Sequence, residues 1–210
     1  LISVIINTIA MAPEALTRES YAGSAYAGRA YALRNFILPL YRRQPFHEVI
    51  VSGVWAPEPR DPYTVLFVPT EHHNILDIVS QRQAGYKVST GDVLLYQGDD
   101  HVIFDDIALV EPLMRALDAD VLVPARWTRL NRREEPSNDG RMEAYVPFHC
   151  AFYRRHVMEV CPWGELLGEP HSLDVRHSEM MKKKGVRFQW TDELRAWDIE
   201  LPGVAACVSS

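Results

Sequence analysis

Gly91-Asp-Val-Leu-Leu-Tyr-Gln-Gly-Asp-Asp-His101 is the stretch on which the fold turns. The apolar residues from Val93 to Tyr96 are consecutive rather than alternating, and the run is too short for a helix. A run of this kind is a strand covered on both faces, and two-sided cover belongs to parallel strands flanked by helices. The same grammar recurs on either side. Ile2-Ser-Val-Ile-Ile-Asn7, Glu48-Val-Ile-Val-Ser52, Thr64-Val-Leu-Phe-Val68 and Asp120-Val-Leu-Val-Pro124 are all two-sided apolar runs bounded by polar residues. Helical spacing fills the gaps: Ala32, Phe36 and Leu40 share a face over 29–43, and Ile75, Ile78 and Val79 do so over 75–87. The alternation predicts an α/β domain with a mostly parallel, Rossmann-like central sheet.

The second half of the chain is more mixed. Ala144-Tyr-Val-Pro147 reads as a strand, Cys150 to Val160 as a helix, and Val186-Arg-Phe-Gln-Trp190 as a strand. The segment from Ser172 to Lys184 carries complete helix punctuation. Ser172 suits the N-cap, Asp174 the first turn, Lys182, Lys183 and Lys184 the last turn, and Gly185 the left-handed stop. Pro13 to Gly28, with its doubled Tyr-Ala-Gly, reads as a surface loop or a lid, and Asn131 to Gly140 as a loop bordering an acceptor. Neither is long enough to divide the chain, so 1–210 is expected to form one domain.

Composition narrows the function. The chain has 210 residues, 47% hydrophobic and 24% charged, which is enough to build a buried core. Its 22 basic and 28 acidic residues leave a formal charge of -6, the wrong balance for tracking a phosphate backbone, so nucleic acid is not an expected partner. No apolar run approaches the roughly 18 residues of a membrane span, and no basic start leads into an apolar leader, so a cytoplasmic location is expected. The cysteines, Cys150, Cys161 and Cys207, are too few and too irregular for a disulfide framework or a zinc site.

In an open parallel sheet, ligands bind beyond the carboxyl ends of the strands. Thr8, Ser52 and Gly98-Asp99-Asp100-His101 fall at such ends. Two adjacent carboxylates beside an imidazole repel each other unless a cation neutralises them, and a hard divalent ion such as Mg or Mn suits those oxygens. Asp99 and Asp100 are equally the residues of a simple turn after a strand. His72, His73, His149, His156, His171 and His177 lack metalloprotease spacing and read as ordinary hydrogen-bonded histidines.

Five segments, in order, resemble the family 2 glycosyltransferases. Ile2 to Thr8 resembles their opening strand and Phe46-His-Glu-Val-Ile-Val-Ser-Gly53 their second. Gln81-Arg-Gln-Ala-Gly85 is similar to their Ala-Arg-Asn-x-Gly stretch, Gly91 to His101 to the strand leading into their Asp-x-Asp motif, and Leu173-Asp174 through Gly185 to their Glu-Asp helix. The resemblance implies a GT-A fold, with a nucleotide-binding part over about 1–101 and an acceptor-binding part over about 102–210. It implies a metal-dependent, inverting transfer of a sugar from a UDP or GDP donor to a hydroxyl of a glycan or small acceptor. Thr8 and Ser52 would lie near the nucleotide, Arg82 would face the nucleotide or its diphosphate, and Asp99 would hold the ribose or a metal-bound water. Asp100 and His101 would hold Mn2+ or Mg2+, and Asp174 would be the general base, with Glu169 in reserve. The pattern departs from the family at Gly98, at Ser52-Gly53 and at Leu173. Those departures keep a non-catalytic nucleotide- or glycan-binding module open as the alternative. A sugar nucleotidyltransferase ranks lower, because Asn7 to Pro13 has no basic, glycine-rich loop for a triphosphate.

Overall fold

The computed structural model describes residues 1–8, 29, 31–53, 65–69, 78–127, 133–134, 146–147, 150–167 and 173–199. The lid or loop at 13–28, Ile75, Trp127's side chain, Ser172, Glu169 and four of the histidines lie outside them, as does most of the loop at 131–140.

The expected apolar runs are strands: β1 (Ile2–Thr8), β2 (Glu48–Gly53), β3 (Val65–Pro69), β4 (Val93–Gly98) and β6 (Val121–Trp127). Between and after them come β5 (His101–Ile103), β7 (Arg133–Glu134), β8 (Cys150–Arg154) and β9 (Phe188–Asp198). One sheet takes them in the order β3-β2-β1-β4-β8-β6-β9-β5, with β7 paired to β6. The first four strands are mutually parallel. Beyond β4 the directions are mixed: β8 is antiparallel to both β4 and β6, β9 is parallel to β6, and β5 is antiparallel to β9.

Helices cover both faces, which is why nearly every residue of β1 and β4 is buried. One face packs Val4, Ile6, Val51 and Leu95 against Leu33, Ile37 and Tyr41, the last of these closing α1 (Leu38–Tyr41), with Met114 of the helix Val110–Ala116, α3 in chain order. The other packs Ile5, Ile50, Leu94 and Tyr96 against α2 (Ile78–Val88), α4 (Arg155–Val160), the 3-10 turn Trp163–Leu166 and α5 (Leu173–Lys183). The architecture is a three-layer, Rossmann-like α/β fold.

Three local expectations are corrected. The helix of 29–43 contains a π turn, Leu33–Ile37, before α1 (Leu38–Tyr41), and the Leu38 N–H reaches back to the Leu33 carbonyl. The wider turn rotates the helix face, so Phe36 is half exposed and Leu33, Ile37, Leu38 and Tyr41 are buried instead. Cys150 to Arg154 is a strand, because it pairs along β4; only Arg155–Val160 is helical. Val146 and Pro147 are not in a strand. By contrast, the helix at 173–183 ends as its punctuation predicts, with Gly185 at φ 74 and its N–H bonded to the Lys182 carbonyl at 3.0 Å.

Candidate functional site

Register places the site. Asn7 is level with Ser52 on one side and Gly98 on the other, and Thr8 is level with Gly53, so the ends of β1, β2 and β4 lie along one edge. Chain order reverses between β1 and β4, which makes the gap between their ends the switch point of the sheet. Thr8 Oγ1 donates to Asp99 Oδ2 across that gap at 2.6 Å.

Asp99 and Asp100 form the turn between β4 and β5. Gly98 is needed there, since a Cβ at 98 would stand 2.6 Å from Asp100 Oδ1. The turn is tied down from below. Gln97 Nε2 donates to the His101 carbonyl at 2.9 Å, and the Tyr41 hydroxyl donates to Gln97 Oε1 and accepts from the Ile103 N–H at 3.1 Å. The Ile199 N–H adds a bond to the Asp100 carbonyl at 2.7 Å.

The side chains form a chain of charges. Arg29 Nη1 bridges Asp99 Oδ1 at 2.5 Å and Asp100 Oδ2 at 2.8 Å. His101 Nδ1 lies 2.6 Å from Asp100 Oδ1, and His101 Nε2 lies 2.6 Å from Asp198 Oδ1 at the end of β9. Burial pushes the Asp99 carboxyl above its ordinary value, against the pull of Arg29 and the Thr8 hydrogen bond. Burial acts the same way on Asp100, but the hydrogen bond and charge of His101, with Arg29, outweigh it and hold that carboxyl well below the usual range. Burial alone would lower His101; its bonds to Asp100 and Asp198 overcome this and raise it to about 9, so the ring is an imidazolium at neutral pH.

A metal ion on Asp100 and His101, as the resemblance implies, does not fit the donor set. Both Asp100 oxygens are engaged by cationic donors, and both His101 nitrogens face carboxylates, leaving no imidazole lone pair for an ion. Among the described residues, no group of three or more His, Cys, Asp or Glu side chains is arranged to hold a metal.

The other expected residues lie around this cluster. Ser52 is fully buried at the end of β2, and its Oγ has no hydrogen-bond partner among the described residues. Gln81 of α2, which the sequence reading passed over, donates from Nε2 to the Thr8 carbonyl at 3.1 Å, while its buried Oε1 is also without a partner among the described residues. Buried polar atoms of that kind are rare unless a ligand or water completes them. Arg82 is buried rather than solvated: Nε donates to Asn7 Oδ1 at 3.2 Å, and the guanidinium lies 4.8 Å from the Trp163 ring and 5.4 Å from that of Tyr96. His177 stacks on Trp163 at 3.8 Å, bonded through Nε2 to the Cys161 carbonyl and kept neutral by burial, which pushes it down to about 4. Asp174 stands in the first turn of α5, half buried, its Oδ1 accepting from the Val175 N–H at 2.8 Å. Its charge acts on Arg82.

Thr8, Asp99, Asp100 and His101 thus meet in one cluster. Ser52 and Arg82 flank it, and Asp174 belongs to a separate element. Arg29 was missed because no spacing links it to an acid pair 70 positions away.

The class defined here is a Rossmann-like α/β domain with an acid cluster at the carboxyl ends of its parallel strands. Solved structures of S. aureus TarS share the fold. TarS 1-349 in complex with UDP-GlcNAc matches with a TM-score of 0.63 and 15% identity over 100% of this chain and 62% of that one. TarS 1-349 in complex with UDP gives 0.57 and 15% over 93% and 60%, and a longer TarS structure gives 0.59 and 14% over 95% and 36%. The chain therefore spans at most about three fifths of the TarS chains it resembles. No protein-family model and no curated protein matches it. No described helix is long and apolar enough to cross a membrane.

Proposed function

We propose that the chain is the catalytic domain of a glycosyltransferase that moves a sugar from a nucleoside diphosphate donor, UDP first, to a hydroxyl of a glycan or small acceptor. The observation that carries this reading is the Thr8–Asp99 bond at the switch point, which sets an acid pair where a nucleotide's ribose and diphosphate sit in such sheets. TarS, a glycosyltransferase of the same fold, is known with UDP-GlcNAc and with UDP bound, which supports the donor class.

In this reading, residues 1–101 bind the donor and 102–210 the acceptor. The open hydrogen-bonding atoms of Ser52 and Gln81 favour contacts to the base or ribose, with Thr8 and Asp99 beside the sugar-phosphate. Arg82 holds Asn7 at the rim and sets a positive field near the acceptor half. Asp174 takes the proton from the acceptor hydroxyl as its oxygen bonds to the anomeric carbon. The bond from that carbon to the diphosphate oxygen breaks on the opposite face, so the configuration inverts and the nucleoside diphosphate leaves with the electron pair.

Asp174→Asn tests the assignment. UDP affinity by calorimetry should be unchanged, while release of UDP from a donor panel with mixed acceptors falls on the order of 10²–10⁴-fold. Transfer at the parental rate moves the base elsewhere. UDP binding by the unmodified chain with no transfer for any donor favours the binding module, the reading that Leu173, standing where the family has Glu, also favours.

A further inference from the structure

The family resemblance puts a divalent ion on the acid pair, but this chain already has a positive group there. We propose that Arg29 is the built-in cation of the site: it holds Asp99 and Asp100 together and offers its remaining donors to the diphosphate of the donor. The inference rests on the nucleotide-sugar reading above for the identity of that diphosphate, but not for the occupancy of the acid pair.

Three independent features support it. A single nitrogen, Nη1, bridges carboxylates of consecutive residues at 2.5 and 2.8 Å, the bridging position that a metal would otherwise take. Among the described residues, nothing else engages Nη2 or Nε, and the side chain is about one fifth exposed (21%), so the outer edge of a planar fork suited to phosphate oxygens remains open. Asp99 is buried, and its other oxygen, Oδ2, accepts from Thr8 Oγ1 at 2.6 Å, so the Arg29 bridge is built into the switch point of the sheet.

The second feature is placement. Arg29 is helical and lies twelve positions before Tyr41, the end of α1, and Tyr41 binds the same turn from beneath through Gln97 and the Ile103 N–H. The stretch is therefore fastened to the acid turn at both ends, which makes the Arg29 contact part of a built frame and not a stray surface pair. The third is charge. The Arg29 guanidinium keeps its positive charge at any working pH and already faces both the Asp99 and the Asp100 carboxylates. When the bond from the sugar to the diphosphate breaks, the charge released on the leaving oxygen meets a guanidinium that neither gains nor loses a proton, while the acceptor's proton goes to Asp174.

The test uses the full chain. Free Mn2+ is followed by electron paramagnetic resonance as protein is added, and UDP binding is measured by calorimetry with EDTA and with Mn2+. Expected results are no loss of the free-ion signal and UDP affinities that agree within about twofold in the two buffers. In Arg29→Met, UDP affinity should fall about tenfold or more and a Mn2+ site should appear on the uncovered acids. Arg29→Lys, which keeps the charge if the methionine variant fails to fold, should still exclude Mn2+ while binding UDP with intermediate strength. Mn2+ binding by the unmodified chain that Asp100→Asn abolishes, or UDP affinity raised about tenfold by Mn2+, overturns the proposal. Unchanged UDP affinity in Arg29→Met overturns the diphosphate role. If the unmodified chain binds no UDP in either buffer, the donor reading fails together with that role, and the manganese titration alone decides whether Arg29 fills the cation position.

Discussion

Strands β3, β2, β1 and β4 run parallel and finish along one edge, whereas among β8, β6, β9 and β5 two run with them and two against, so their ends are shared between the two edges. The parallel half gathers polar residues because register does the gathering: Thr8, Ser52 and Asp99 become neighbours once three apolar runs pair level with one another. The mixed half brings the ends of β6 and β9 to the same edge, and Asp198 at the end of β9 meets His101. A parallel sheet builds a site as a by-product of its core, while a mixed one contributes only through the strands that run with it.

Arg82 is where the two halves are joined, and removing it is the strongest way to break the contrast. It comes from α2 on the parallel side, and its guanidinium lies between Tyr96 of β4 and Trp163 of the mixed side. Arg82→Ala removes a fully buried side chain, leaves Asn7 Oδ1 without that donor and opens a cavity under the aromatic rings, for an expected loss of about 3–5 kcal/mol in urea unfolding. A loss below about 1 kcal/mol shows that the halves cohere without it.

The Asp198 link is tested by pH. His101 has a folded pKa of about 9 against an ordinary value of 6.5, so proton binding favours the folded state. Its contribution is complete below pH 6.5 and is lost as pH rises through 9, with Asp100 ionised throughout. Relative to His101→Gln, the unmodified chain should lose on the order of 3 kcal/mol of its advantage between pH 6 and pH 10. A flat difference across that range means that the strand end is not held by an ion pair. The smallest effect is expected within the mixed half alone. Gly185→Ala places a methyl in open space at φ 74, so only backbone strain acts, and the cost should be about 1 kcal/mol.

Legibility followed that division only in part, since β6 of the mixed half was as readable as the parallel strands. β1, β2 and β4 are readable because consecutive apolar residues in a strand report two covered faces, and α5 because its stop at Gly185 is local chemistry. Cys150–Arg154 was unreadable as a strand since its only distinguishing feature, pairing along β4, is set by residues more than fifty positions away. β9 extends past Trp190 through the charged stretch Thr191 to Asp198, where exposed acids and arginine mask the buried Thr191, Leu194 and Ala196. In the site, Thr8, Asp99, Asp100 and His101 could be named from strand ends alone. Arg29 could not, because a guanidinium becomes part of an acid turn only when a helix folds back over the sheet.

The π turn at Leu33–Ile37 governs the direction in which that guanidinium points. In an unbroken α-helix, the twelve steps from Arg29 to Tyr41 would leave the two side chains about 120° apart around the axis, so that one of them faced away from the acid turn. Widening one turn absorbs about one residue, roughly a 100° step, and brings both onto nearly the same side. A one-residue irregularity that looks like a defect in the ladder thus sets the azimuth of two grips on one turn, and the same residues wound as a regular α-helix would lose one of them.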